Sequence, residues 1–140
     1  MALNSQAKVR VKTINDERSA AFWAQGMSRA GKKVCLLCTT GTAAANYLPG
    51  IVEAYMSDLP LIAITCDRPW ELHNGGANQT VKQKDFYKDF VALNIDIPAL
   101  DKSIHAHSLL ANVTELVNTC LLYTSPSPRD ATLSRMPSSA

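Results

Sequence analysis

Two short runs, KVCLLCT (33–39) and LPLIAITC (59–66), are almost continuously apolar, and the segment between them has the spacing of a helix. A strand with one wet face alternates polar and apolar residues. A run without polar gaps belongs to a strand covered on both faces, as in parallel sheets flanked by helices. The intervening segment, Thr42 to about Met56, carries Ala43, Ala44, Leu48, Ile51, Val52 and Tyr55, and Pro49 inside it predicts a kink. Strand, helix, strand reads as a parallel unit with a right-handed crossover, which commits the chain to a layered α/β fold.

The flanks extend this pattern. KVRVKTI (8–14) alternates basic with apolar or β-branched residues, the period of a strand near a sheet edge. From Asp16 to about Ala30 the spacing of Ala20, Ala21, Ala24 and Met27 predicts a helix, with Asn15 or Asp16 to cap it and Gly31 to end it. After Cys66 comes the polar loop DRPWELHNGGANQT, then a short helix around QKDFYKDF and a strand, ALNIDI. A last helix is predicted from about Lys102 to Thr119, with Leu109, Leu110, Val113, Leu116 and Val117 on one side. The expected architecture is three-layer α/β, a mostly parallel sheet with helices on both faces, over residues 1–122. The Ser/Pro-rich stretch 123–140 has no apolar period to repay the entropy of ordering. A natural tail and a translated cloning scar are both readings of it, and its abrupt start in mid-helix favours the scar.

With a net charge of +2 over 140 residues, the chain lacks the basic excess that would point to nucleic acid or an anionic membrane surface. No apolar run approaches the roughly 18 residues of a membrane span, and the start of the sequence lacks the charged and apolar regions of a secretory signal. A cytoplasmic protein is expected. Cys35 and Cys38 form a C-x-x-C, but three residues apart on a strand they point to opposite faces, which favours packing over a metal or redox role. His73, His105 and His107 lack ligand spacing and read as surface residues, while Trp23, Trp70 and Phe86 read as packing residues.

In an open α/β sheet, ligands bind beyond the carboxyl ends of the strands. Three polar loops fall there: NDER, TTGT and CDRPWELHNGGANQT. Gly41 permits a tight turn into a helix whose first N–H groups favour an anion or polar ligand; an ordinary turn capped by Thr42 explains it equally. Arg68, followed by Pro69, could fork onto a carboxylate or pair locally with Asp67 or Glu71. Asn78 and Gln79 offer amides for recognition or for solvation. Glu17 has two readings of equal weight: a solvated first-turn acid favoured by the helix dipole, or a carboxylate in an apolar cleft, where burial would make it a proton donor near neutrality.

Taken together, NDERSAAF, CTTGTAAANYLPGIVEAY and TCDRPWELHNGGANQTVKQ resemble the amino-terminal, pyrimidine-binding domain of thiamine-diphosphate enzymes, over roughly residues 9–120. Within that superfamily they look most like the carboligases of menaquinone biosynthesis. These transferases decarboxylate 2-oxoglutarate and add the succinyl unit to isochorismate. The resemblance implies thiamine diphosphate and Mg2+ as cofactors, a homodimer or homotetramer, and no membrane insertion. It implies that Glu17 hydrogen-bonds a ring nitrogen of the aminopyrimidine, that Thr40 and Gly41 line the cofactor cleft, and that Arg68, Asn78 and Gln79 contact substrate. An acetolactate-synthase-like relative and a non-catalytic α/β module are the alternatives. The family also has an earlier strand and helix, a further strand, a middle domain and a diphosphate domain with a Gly-Asp-Gly metal motif. None of these occurs in the 140 residues, so the resemblance implies at most half an active site and no synthase activity for this stretch alone.

Overall fold

A computed structural model of the chain describes residues 9–73, 75–97 and 106–122. The order of its main elements is α1 (Glu17–Arg29), β1 (Cys35–Cys38), α2 (Thr42–Met56), β2 (Ile62–Thr65) and α3 (Ala106–Leu122), with short 3-10 turns at Trp70–Leu72 and Lys88–Phe90. The parallel unit expected from the two apolar runs is present: β1 pairs with β2 in parallel, Cys35 opposite Ile62 and Cys38 opposite Thr65. The α/β fold class therefore stands, while several boundaries differ.

Local chemistry sets the ends of α1. The Asp16 carboxylate accepts a hydrogen bond from the Ser19 N–H at 2.7 Å, satisfying one of the donors that a helix start leaves unpaired. At the other end Gly31 takes a positive φ of 74°, and the Lys32 N–H donates back to the Met27 carbonyl at 3.0 Å. This is the left-handed stop for which glycine is suited. The α2 helix runs through Pro49 without interruption, and Pro49 itself is exposed.

The core is built by α1 and α2 against one face of β1. Ala21 and Ala24 of α1, Leu36 and Cys38 of β1, and Ala44, Tyr47 and Ile51 of α2 form one buried cluster. Small residues let the two helices approach closely. A methyl group added at Gly50 would lie 2.4 Å from the Ala21 Cβ, and the Gln25 side-chain amide donates to the Gly50 carbonyl at 2.6 Å.

Burial of the strands on both faces is not observed among the described residues. Along β1 exposed and buried residues alternate, with Cys35 and Leu37 outward. Leu37 is 55 % and Ile64 50 % exposed, so the outward face of the sheet carries apolar side chains that are only partly covered.

Residues 9–14 and 92–97 are not strands. An alternating sequence becomes a strand only when its backbone groups find a ladder partner, and the described sheet consists of β1 and β2 alone. The expected helix at QKDFYKDF is instead a pair of turns, because Asp85 has a φ of 68° and breaks the helical ladder before Lys88–Phe90. The last helix is described over Ala106–Leu122, and its expected start near Lys102 lies outside the described residues. His105 and the 123–140 stretch lie outside the described residues, whereas His107 is exposed as expected. Trp70 was expected to pack and is 79 % exposed, since the turn that carries it stands clear of the core.

Candidate functional site

Because β1 and β2 run parallel, their carboxyl ends open on the same side, and the backbone continues the pairing one step further, the Cys66 N–H donating to the Cys38 carbonyl at 3.2 Å. The loops that follow, 39–41 and 66–83, are thereby held side by side. Gly41 occupies the N-cap position of α2 with a φ of 80°, a conformation that a side chain would strain. Thr42 does not cap the helix.

Four of the expected site residues meet here. The Thr40 hydroxyl donates to the Gln79 carbonyl at 3.2 Å. Gly41 packs so tightly on Gln79 that an added Cβ would stand 3.0 Å from its carbonyl oxygen and 3.1 Å from its Cα. The Arg68 guanidinium donates to the Gln79 side-chain oxygen at 3.0 Å. Gln79 has a φ of 59°, and the close packing on Gly41 holds it in that unfavourable region. The local pairing considered for Arg68 is not made through its guanidinium. The Asp67 carboxylate instead accepts from the Arg68 backbone N–H at 2.7 Å, and His73 approaches Asp67 at 3.6 Å. Asn78, next to Gln79, is exposed.

Glu17 occupies the first position of α1 and is half-buried. Its carboxylate makes no ion pair among the described residues. Its charge is nonetheless felt by the buried groups beside it. The Cys38 thiol is pushed up to about 11, first by burial and then in part by Glu17. The Tyr47 phenol is also raised, again first by burial, with Cys38 and Glu17 adding to the shift. Glu17 thus lies against two groups that stay neutral at physiological pH.

Sequence reasoning missed Gln83, which is only 8 % exposed. Its side-chain oxygen accepts from the Gly41 N–H and its amide nitrogen donates to the Cys66 carbonyl at 2.7 Å. A neutral amide between Lys82 and Lys84 was the one available signal, and by composition alone it looks like part of a solvated stretch. Tyr47 and Tyr87 were missed as polar groups too. The Tyr87 hydroxyl donates to the Ala44 carbonyl in the first turn of α2, and burial raises its pKa.

No cluster of His, Cys, Asp and Glu among the described residues could hold a metal ion, and Cys35 and Cys38 fall on opposite faces of β1, exposed and buried respectively. A cavity of about 560 Å3 adjoins the cluster at Asp67 and Gln83 and extends between β2, the 84–97 segment and α3, with Ile51, Tyr55, Ile62, Phe86 and Phe90 among its walls. It includes none of Glu17, Thr40, Gly41, Arg68, Asn78 or Gln79.

Comparison with known proteins matches residues 1–87 to the family described as thiamine pyrophosphate enzyme, N-terminal TPP binding domain. Among curated proteins, the 2-succinyl-5-enolpyruvyl-6-hydroxy-3-cyclohexene-1-carboxylate synthase of Chlorobium phaeobacteroides is 43 % identical over 116 residues, 82 % of this chain and 20 % of the relative. The enzyme of the same name from Lysinibacillus sphaericus is 50 % identical over 101 residues, 71 % of this chain and 18 % of its own length. That of Staphylococcus epidermidis is 45 % identical over 108 residues, 75 % of this chain and 19 % of its own length. The chain thus spans about a fifth of the length of these relatives.

Proposed function

Because this chain belongs to the thiamine pyrophosphate enzymes through their N-terminal binding domain, we propose that it is the pyrimidine-holding part of a 2-succinyl-5-enolpyruvyl-6-hydroxy-3-cyclohexene-1-carboxylate synthase. The whole enzyme would decarboxylate 2-oxoglutarate and transfer the succinyl unit to isochorismate. It would work in the cytoplasm, with Mg2+ and as a homodimer or homotetramer. The observation that carries this reading is Glu17, a half-buried carboxylate beside the neutral Cys38 and Tyr47 and without an ion-pair partner among the described residues.

Thiamine diphosphate, when bound, supplies the carbon nucleophile that the 2-oxo acid needs in order to lose carbon dioxide. This chain's own contribution is to hold the cofactor's ring and to manage one proton. Glu17 would hold or share that proton at a ring nitrogen. Thr40 and Gly41 would form the wall next to the ring. Across the same strand ends Arg68, already held by Gln79, would meet an anionic substrate through charge-assisted hydrogen bonds, with Asn78 and the Gln79 amide completing the contact.

The reading is tested in the full-length protein that carries this segment. Supplied with thiamine diphosphate, Mg2+, 2-oxoglutarate and isochorismate, it should release carbon dioxide and form the succinylated cyclohexene carboxylate. Acetolactate formation from pyruvate, without turnover of 2-oxoglutarate, would place the chain in the other branch.

A further inference from the structure

We propose that Gln83 is a positioning residue that locks the Gly41 turn to the end of β2 and so couples the cofactor wall to the Arg68–Gln79 substrate side. The inference rests on the proposed function for the identity of those two sides. Its geometric basis is independent of it.

Gln83 is a buried amide with both of its polar ends used. The two partners are backbone groups whose roles are fixed, since an N–H can only donate and a carbonyl can only accept. The side chain therefore has one orientation that satisfies both: oxygen to the Gly41 N–H, nitrogen to the Cys66 carbonyl. Gly41 begins α2 and is pressed against Gln79. Gln79 in turn holds Thr40 through its carbonyl and Arg68 through its side chain. Cys66 follows β2 and stands two residues before Arg68. Gln83 thus closes a ring of contacts, Gly41 to Gln79 to Arg68 and back through Cys66.

Hydrophobic packing alone would not need an amide at this place. A side chain of the same length without polar ends would leave the N–H of the buried Gly41 and the Cys66 carbonyl without these partners, and the turn would relax until water reached the N–H. Relaxation at Gly41 moves the cofactor wall. Because Gly41 and Gln79 are in contact, it also moves the residue that holds Arg68.

Two substitutions in the full-length protein separate locking from space filling. In Q83M neither hydrogen bond can form, and thiamine-diphosphate affinity, measured by titration calorimetry, should fall at least tenfold. In Q83E the new carboxyl reproduces both bonds only when protonated, its O–H donating to the Cys66 carbonyl and its other oxygen accepting from the Gly41 N–H. When ionised it turns a negative oxygen toward that carbonyl. The affinity of Q83E, divided by that of wild type at each pH to cancel the titrations of Glu17, Asp67 and His73, should rise at least tenfold as pH is lowered from 8 to 5.5. A ratio that stays flat over that range assigns Gln83 to packing and overturns the proposal, whatever Q83M does. Wild-type protein that binds thiamine diphosphate but does not convert 2-oxoglutarate and isochorismate would sink the synthase reading while leaving this ratio as the test of Gln83. A wild type that binds no cofactor overturns both.

Discussion

At the scale of single residues, the account turns on how burial sorts groups that look alike in sequence. Cys35, Cys38 and Cys66 are all thiols outside any disulfide, but of the three Cys38 alone is buried, and its ionisation is displaced to about 11. Alkylation with iodoacetamide at pH 8, followed by peptide mass spectrometry, should label Cys35 and Cys66 and leave Cys38 unmodified until the protein is unfolded. The same displacement has a consequence for stability. An unfolded cysteine ionises near the ordinary value of 9.0, so between that pH and about 11 the unfolded chain loses a proton that the folded chain keeps. Stability should therefore be constant below that window and fall as pH rises through it. This is the opposite direction from Asp16, whose carboxyl is held low by its hydrogen bond to Ser19 and whose contribution is lost as pH falls. Glu17, Arg68 and Gln79 stood out in the sequence because their loops resemble a family. Gln83 did not, since its importance lies in two backbone partners 42 and 17 residues away, and no local pattern encodes those.

At the scale of elements, the helices were more legible than the strands. The start of α1 at Glu17 and its end before Gly31 follow from side chains within a few positions of each terminus. Strands depend on a partner, and for that reason the alternation at 9–14 and the ALNIDI run did not become strands despite a suitable pattern. The contact between α1 and α2 offers a direct check on the packing. Glycine inside a helix costs about 1 kcal/mol relative to alanine, so on propensity alone G50A would stabilise α2. The close approach of Ala21 reverses that expectation, because the new methyl would sit 2.4 Å from the Ala21 Cβ and the helices would have to separate. G50A should lower the unfolding free energy by about 1–3 kcal/mol, in the range of core overpacking. Urea denaturation measures it, and the double substitution A21G/G50A should recover part of the loss. A G50A protein more stable than wild type would mean that α1 and α2 do not meet at this point.

For the molecule as a whole, the sheet has one face packed against α1 and α2 and another whose apolar side chains are half-exposed. Leu37 and Ile64 project from that second face, adjacent to each other by register since they are paired residues. Apolar surface of this kind belongs against another layer. Expressed as this 140-residue chain, the protein should bind a fluorescent hydrophobic probe, and L37T/I64T should weaken that signal at least twofold without loss of helical circular dichroism. The polar ends of the strands tell the complementary story, since Thr40, Gly41, Arg68 and Gln79 are already joined there. The chain belongs to the thiamine pyrophosphate enzymes, and Glu17 is the group on which the proposed function stands or falls. The decisive measurement is turnover of 2-oxoglutarate with isochorismate by the full-length protein and its E17Q variant, under saturating thiamine diphosphate. The account predicts a loss of at least about a thousandfold in kcat, roughly 4 kcal/mol in the barrier, with the isochorismate KM changed by no more than a few fold. An E17Q enzyme that retains near-normal kcat would contradict it and return Glu17 to the role of a helix-start acid.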